Sequence, residues 1–269
     1  MARKIDRTSP LLRAFALLER IAGADAPVTL GEATASVALP KPTVYRMLGT
    51  LHDAGLVARE PGGRRFGAGP RLTRFALDVL RQGWSQAPRR AILQQLVAAI
   101  GETCNLTTIE GSEIVYLDRV ESAWPLRVTL HPGSRVPLHC TASGKLLLAL
   151  MPAARRKRLI ASMPLARYTD RTIIDARRFA RELIRARQER LATDNEEFIA
   201  GLVCVAVPVT LPSGRVVASV AVQAPVARMS LAAAMRHVVV LRRAAIALGT
   251  TMNDVAPQAA LRDAARRRT

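Results

Sequence analysis

The sequence predicts an α+β protein in two parts: an N-terminal winged helix-turn-helix, and a larger C-terminal domain built on one antiparallel sheet flanked by helices. Two observations carry this prediction. Residues 9–67 contain three short amphipathic helical patterns followed by a hairpin pattern. Residues 92–248 contain groups of alternating strand patterns separated by helical ones, which is typical of α+β domains.

The composition limits the class of protein. Of the 269 residues, 49% are hydrophobic, which excludes disorder over most of the length. The three cysteines are odd in number and widely spaced, which fits a reduced compartment without a disulfide framework. No run approaches the roughly 18 apolar residues of a membrane span, and charged residues interrupt the apolar stretch 11–22. We therefore expect a soluble, cytoplasmic protein with no membrane contact.

The net charge of +19 favours an acidic partner such as nucleic acid, but its distribution weakens that inference. Residues 1–80 contain 12 basic and 7 acidic side chains, whereas residues 151–190 contain 12 and 4. Only 4 of the 40 basic residues are lysine, so a compositional bias toward arginine explains the charge equally well. The argument for DNA binding therefore depends on local pattern.

The first part of the chain contains three predicted helices. In the first, apolar side chains recur at steps of three and four: Leu11, Leu12, Phe15, Leu18 and Ile21. Ser9 is expected to cap this helix, with Pro10 at its first position. The second helix is short and is expected to begin with a capping box formed by Thr29 and Glu32. A turn at residues 39–42 leads to a third helix predicted over 43–54.

The third helix has the polar residues of a recognition helix. Lys41, Thr43, Tyr45 and Arg46 lie at its N-terminal end, away from its apolar face. The major groove of DNA, about 12 Å wide, admits one helix whose N-terminal side chains meet base edges. These four residues and Thr29 are the candidate DNA contacts, although an ordinary charged surface helix is the alternative.

A hairpin is predicted after the third helix. Residues 56–59 and 64–67 form two short strand patterns around Gly62 and Gly63. Arg64 and Arg65 at this turn can reach a phosphate or a narrow minor groove. The alternative is a solvated pair that protects an edge strand.

The remaining chain divides by pattern. We predict a DNA-binding domain over 1–71, a linker helix over 72–87, a second domain over 88–252 and a basic, disordered tail over 253–269. Within the second domain the predicted elements are a helix over 92–100, strands over 105–109, 113–120 and about 126–130, a loop over 131–139, a helix over 141–151, arginine-rich helices over 153–161 and 175–191, strands over 202–210 and 216–223, and one last helix over about 231–248.

The segment Thr141, Ala142, Ser143 and Gly144 precedes an apolar helix. A phosphate-binding loop is excluded here, because residue 139 is histidine where that loop needs glycine. A helix that begins with small residues presents free amides and a positive dipole end, which favour a carboxylate. Plain helix capping by Thr141 or Ser143 is the alternative.

No catalytic constellation is found. The four histidines lack metal-ligand spacing, and the glycine-rich loops and nucleophile elbows of common enzymes are absent. Cys140 beside His139 could form a nucleophile and base only if both side chains faced the same way. We expect neither enzymatic activity nor a metal or other cofactor.

Three runs of sequence resemble the IclR (isocitrate lyase regulator) family of transcription factors, and the similarity extends over roughly residues 9–250. They are PVTLGEATASVALPKPTVYRMLGTLHDAGLVARE at 27–60, GSRVPLHCTASGKLLLA at 133–149 and DNEEFIAGLVCVAVPV at 194–209. The resemblance implies a winged-helix N-terminal domain, a GAF-like effector domain, and a homodimer or dimer of dimers on double-stranded DNA.

The resemblance also implies an effector pocket. Residues 141–144 would line it together with Asp194 and Cys204. Ala221 and Gln223 stand where carboxylate-sensing relatives have hydroxyls, so a larger or less polar organic acid becomes plausible. Glu196 and Glu197 are expected to be solvated or associated with a helix. An effector-binding enzyme with an added helix-turn-helix, and an architectural DNA-binding protein without a ligand, are the alternative functions.

Overall fold

A computed structural model of the chain describes residues 9–24, 26–37, 39–60, 62–81, 87–125, 128 and 130–253. It divides into two compact units, residues 1–80 and residues 81–269. The predicted linker residues 82–86 and most of the predicted tail lie outside the described residues.

The first unit contains four helices and a small sheet in its described part. The helices are α1 (Pro10–Ala22), α2 (Leu30–Ala35), α3 (Lys41–Asp53) and α4 (Pro70–Arg81), and the strands are β1 (Val28–Thr29), β2 (Val57–Arg59) and β3 (Arg65–Ala68). The strands are antiparallel in the order β1-β3-β2. The predicted helix-turn-helix and hairpin are confirmed, and the two-residue strand β1 is an addition that was too short to show a period.

One of the two predicted helix caps is confirmed. The Glu32 amide donates to Thr29 Oγ1 (3.2 Å), and the Thr29 amide donates to the Glu32 carboxylate (2.6 Å). The hydrogen bond from the Thr29 amide, and a second one that the Thr29 hydroxyl donates to the same carboxylate (2.9 Å), lower the pKa of Glu32. Ser9 occupies the predicted N-cap position with Pro10 after it, and its carbonyl accepts from the Arg13 amide (3.1 Å), but its side chain makes no capping hydrogen bond.

The first unit has its own core. Buried apolar side chains from α1, α2, α3 and the sheet form it: Leu17, Leu18, Ile21, Val28, Ala33, Val44, Leu48, Leu51, Val57 and Phe66. The apolar spacing of α1 and α3 therefore turns one face of each helix inward and leaves the other face exposed.

The second unit is built on one six-stranded sheet. Its helices are α5 (Ala87–Ile100), α6 (Ala142–Leu150), α7 (Ala153–Ser162), α8 (Ala176–Glu189), α9 (Leu231–Met235) and α10 (Val238–Asn253). Its strands are β4 (Thr103–Glu110), β5 (Glu113–Val120), β6 (Arg135–Pro137), β7 (Ala192–Asn195), β8 (Leu202–Thr210) and β9 (Val216–Pro225). All pairings are antiparallel, in the order β6-β5-β4-β9-β8-β7, as the α+β class predicted.

Three predictions for this unit are wrong. The third strand is β6, which pairs with β5 inside the region predicted as a loop. Of the residues predicted to form that strand, 128 and 130 are described and neither is in a strand; the Val128 carbonyl accepts a hydrogen bond from the Arg119 side chain. The short strand β7 was missed. The last helix is interrupted at Arg236 and His237, which separate α9 from α10.

Helices cover both faces of the sheet. Helix α6 is buried along almost its whole length and packs against strands β4, β7, β8 and β9 and against α8. On the strands below it lie small side chains, Ala192, Ala206 and Ala221. These let the α6 backbone approach the sheet closely. Helices α5 and α10 contact each other and cover β4, β5, β8 and β9.

Candidate functional site

The exposed face of α3 presents the predicted recognition residues. Val44 and Leu48 point into the core, whereas Lys41, Tyr45 and Arg46 are exposed and Thr43 is partly exposed. The guanidinium of Arg59 on β2, which the sequence did not single out, lies 5.5 Å from the centre of the Tyr45 ring. This cation–π contact ties Tyr45 to the hairpin.

The hairpin exposes both predicted arginines. Gly62 and Gly63 adopt left-handed backbone conformations (φ 105° and 70°), which glycine accepts without strain. Arg65 donates to the Pro27 carbonyl (3.0 Å), so part of its guanidinium is already bound. Arg64 is exposed. The hydroxyl of Thr29 is bound within its capping box, and its side chain therefore acts as a cap in this structure.

The second unit contains a small cavity at the N-terminal end of α6, with a volume of about 20 Å³. Its lining residues are Asn105, Ile114, Tyr116, Val136, Thr141, Ala142, Ser143, Asp194, Phe198, Cys204 and Gln223. The structure therefore brings together six of the eight residues predicted for the effector pocket. The other two, Gly144 and Ala221, do not line the cavity.

Strand register places the polar lining side by side. Asp194 pairs with Cys204 across β7 and β8, and Cys204 pairs with Gln223 across β8 and β9. Directly paired residues share a sheet face, so the three side chains form one row beneath α6. Ala221 lies on the same face, two residues from Gln223, but is packed into the core.

The first turn of α6 supplies backbone donors. Thr141 is the N-cap: its hydroxyl accepts from the Gly144 amide (3.2 Å) and donates to the Pro137 carbonyl (2.6 Å). The amides of Ala142 and Ser143 lie in the first turn, where a helix offers no internal acceptor. Gly144 has a packing role, because a Cβ there would lie 2.1 Å from the Leu138 carbonyl oxygen.

A buried arginine orients the amide of Gln223. Its Oε1 accepts from Arg119 and from Asn105 Nδ2, both at 3.1 Å, and Arg119 also donates to Asn105 Oδ1 (2.8 Å). With the oxygen held by two donors, the Nε2 group of Gln223 is left to donate elsewhere. The sequence could not identify this arrangement, because Arg119 and Asn105 are 14 residues apart and meet only through the register of β4 and β5.

Asp194 is buried at the other end of this row from Gln223. Burial raises its pKa to about 7, against the hydrogen bond that its Oδ1 accepts from the Glu197 amide (2.7 Å). Glu197 was expected to be solvated or associated with a helix, and the first of these is wrong: its carboxylate is buried and forms an ion pair with the fully buried Lys145 of α6.

Burial disfavours the thiolate form of the two cysteines near the cavity. Burial raises the pKa of Cys204, and it raises the pKa of Cys140 to about 12. His139 Nε2 lies 2.8 Å from the Ala166 carbonyl oxygen rather than against a thiol. Within the described ranges, no group of three or more His, Cys, Asp or Glu side chains could hold a metal ion. No helix in the described part of the chain is long and apolar enough to cross a membrane.

Fold and site together define a class of protein: a DNA-binding regulator with a separate domain that contains a small cavity lined by polar and apolar side chains. Residues 10–61 match the IclR helix-turn-helix domain, and residues 86–250 match the C-terminal domain of the bacterial transcriptional regulator IclR. The chain belongs to the IclR family of bacterial transcriptional regulators, as its sequence motifs indicated.

Relatives and solved structures agree with this assignment. The chain is 50% identical over 234 residues to the probable transcriptional regulator SauR of Cupriavidus necator, covering 87% of this chain and 93% of the relative. It is 31% identical over 218 residues to the regulator BhcR of Paracoccus denitrificans, covering 81% and 78%. The crystal structure of the Thermotoga maritima IclR protein superposes with a TM-score of 0.59 at 28% identity, covering 89% of this chain and 96% of the other.

Proposed function

We propose that this regulator binds its operator through α3 and the β2–β3 hairpin, and that a small organic acid in the central cavity changes its affinity for DNA. In the first unit, Lys41, Thr43, Tyr45 and Arg46 would meet base edges and backbone at the start of α3. Arg64 and Arg65 would contact phosphates from the hairpin. Since its partner is chromosomal DNA, the protein would act in the cytoplasm.

The proposed effector class follows from the arrangement of hydrogen-bond donors around the cavity. The amides of Ala142 and Ser143, at the positive end of the α6 dipole, and the oriented Nε2 of Gln223 are all groups that bind a carboxylate. Asp194 lies two strands from Gln223 in the same row and would repel a second negative charge when ionised. A hydroxylated or aromatic monocarboxylate therefore suits the cavity better than a dicarboxylate does.

The size of the cavity requires movement on binding. A volume of about 20 Å³ accommodates roughly one water molecule, whereas ligand pockets span about 300–1,000 Å³. The lining must therefore separate to admit a carboxylate. This opening is the conformational change that would be transmitted to the DNA-binding unit.

We also propose that the protein acts as a homodimer or a dimer of dimers. The first unit exposes large apolar side chains on two helices, Leu11 and Phe15 on α1 and Phe75 and Val79 on α4. Apolar side chains grouped on a helix face in this way are typical of association surfaces. A symmetric dimer would present two copies of α3 to a pseudo-palindromic site.

The effector proposal is tested by a thermal-shift screen of monocarboxylates, dicarboxylates, amines and neutral compounds. At a hundredfold excess over Kd, a ligand stabilises the folded state by about 2.7 kcal/mol. We expect monocarboxylates among the hits. Ala142→Pro removes one free amide at the first helical position, where proline is tolerated, and should abolish the shift.

The matched control is Ala142→Gly, which keeps the amide and should retain the shift. Both variants should bind DNA as the unmodified protein does. Hits confined to amines or neutral hydrocarbons would contradict the proposed carboxylate site.

A further inference from the structure

A second pocket lies on the outer side of β7, away from the central cavity. It is an open cleft of about 550 Å³ between α8 and β7, lined by both polar and apolar side chains. Its polar lining consists of Arg178, Arg181, Glu182, Arg185, Thr193, Asn195 and Glu197. Side chains alternate along a strand, so Thr193 and Asn195 face this cleft while Asp194 faces the central cavity.

Helix α8 concentrates positive charge in the cleft. Arg178, Arg181 and Arg185 are spaced by three and four residues, which places them on one face of the helix. Like charges at this spacing repel one another, so the arrangement destabilises an isolated helix. Glu182 neutralises Arg185 (2.7 Å), but the side chains of Arg178 and Arg181 have no hydrogen bond or ion pair within the described ranges.

The floor of the cleft contains a buried acceptor. One oxygen of Glu197 pairs with Lys145 Nζ, whose side chain is fully buried. Its other oxygen, Oε2, is buried and has no hydrogen-bond partner among the described residues. A buried carboxylate oxygen of this kind is costly to leave unpaired, so it requires a donor. Lys145 also lies 3.5 Å from Glu182, which ties the floor to α8.

We propose that this cleft binds a small organic phosphate that also carries hydroxyl groups. The planar fork of arginine matches phosphate oxygens in a bidentate manner, and two guanidinium groups are available for one phosphate. Thr193 and Asn195 supply further hydrogen bonds at the strand side. A ligand hydroxyl would donate to Glu197 Oε2, whereas inorganic phosphate offers for this only the P–OH of the same group that the arginines would hold. The cleft volume lies within the usual range for small-molecule sites.

The test is calorimetric titration of ribose 5-phosphate, inorganic phosphate and ribose into the full chain at low salt. We expect one saturable site per chain for ribose 5-phosphate, binding that is about 10-fold weaker for inorganic phosphate, and no binding of ribose. Arg181→Gln should weaken ribose 5-phosphate binding by about 10-fold.

The matched control is Arg177→Gln, an identical substitution at an exposed position of α8 that does not line the cleft. Affinity in this variant should stay unchanged, although the net charge changes equally. Absence of saturable binding of ribose 5-phosphate at ~20 mM would overturn the proposal. So would equal losses in the Arg177 and Arg181 variants, or equal affinities for ribose 5-phosphate and inorganic phosphate.

Discussion

Protonation of Asp194 should control how tightly the central cavity holds an anion. Burial raises the pKa of this carboxyl to about 7, so its charge changes within the physiological range. An ionised Asp194 adds a negative charge to the same small cavity and so weakens the binding of a carboxylate, whereas the neutral acid does not. We therefore expect the proposed monocarboxylate to bind more tightly at pH 6 than at pH 8.

The magnitude follows from the protonated fraction. With a pKa of about 7, roughly nine tenths of the molecules carry the proton at pH 6 and roughly one tenth at pH 8. A ligand that binds the protonated form then loses about 10-fold in apparent affinity across this range. Tyr116, Cys140 and Cys204 do not interfere, because burial raises the pKa of each of them far above this window.

The stability of the folded chain should depend on pH in the same direction as the affinity for the carboxylate. The pKa of Asp194 is higher in the folded chain than in the unfolded one, so the folded state binds the proton more tightly. Between about pH 4 and pH 7 the free energy of unfolding should therefore fall as pH rises. Asp194→Asn should remove this contribution, since its amide stays neutral while its oxygen can still accept from Glu197.

The assay is calorimetric titration of the strongest carboxylate hit at pH 6, 7 and 8, with the unmodified protein and Asp194→Asn. We expect a steep dependence for the first and a flat one for the second. An affinity that does not change with pH in the unmodified protein would refute the reasoning. The same conclusion would follow if Asp194→Asn kept the full dependence.

Three further predictions address the DNA contacts and the packing. Arg46→Ala should weaken specific binding by about 1–3 kcal/mol with less effect on random DNA, and equal losses in a mobility-shift series would contradict base readout. Arg64→Ala should flatten the plot of log affinity against log salt by about 0.9, whereas a hairpin that stays in solvent would leave the slope unchanged. Gly144→Ala should lower the free energy of unfolding by about 1–3 kcal/mol, because the new Cβ would meet the Leu138 carbonyl oxygen. The control Gly49→Ala should not destabilise the protein, since no other atom lies within 4 Å of its added Cβ. Equal melting temperatures for the two variants would argue against the close approach at Gly144.

The sequence predicted the elements that depend on local pattern. The capping box at Thr29, the apolar face of α3 and the Gly62-Gly63 turn are all determined by neighbouring residues, and each is found in the structure. Strands β6 and β7 were missed because they are three and four residues long, too short to show alternation. The break between α9 and α10 was missed because apolar residues continue on both sides of it.

The sequence identified only part of the effector site, and the reason differs from that for the missed strands. Motif resemblance pointed to Asp194, Cys204 and Gln223, and register then placed them in one row. The residues that orient this row, Arg119 and Asn105, come from separate strands and show no signal along the chain. Lys145 is a similar case, since its partners Glu182 and Glu197 come from a distant helix and loop.

An organic acid bound in the cavity and DNA bound at α3 should each change the affinity of the protein for the other. The operator is first identified by sequencing the DNA that co-purifies with the protein. The direct measurement is then the fluorescence anisotropy of the labelled operator, titrated with protein in the presence and in the absence of the carboxylate hit. We predict that the carboxylate changes the affinity for DNA by about 5- to 150-fold, and that bound DNA changes the affinity for the carboxylate by the same factor. Both changes should disappear in Ala142→Pro. DNA affinity that stays constant at saturating carboxylate would contradict the account.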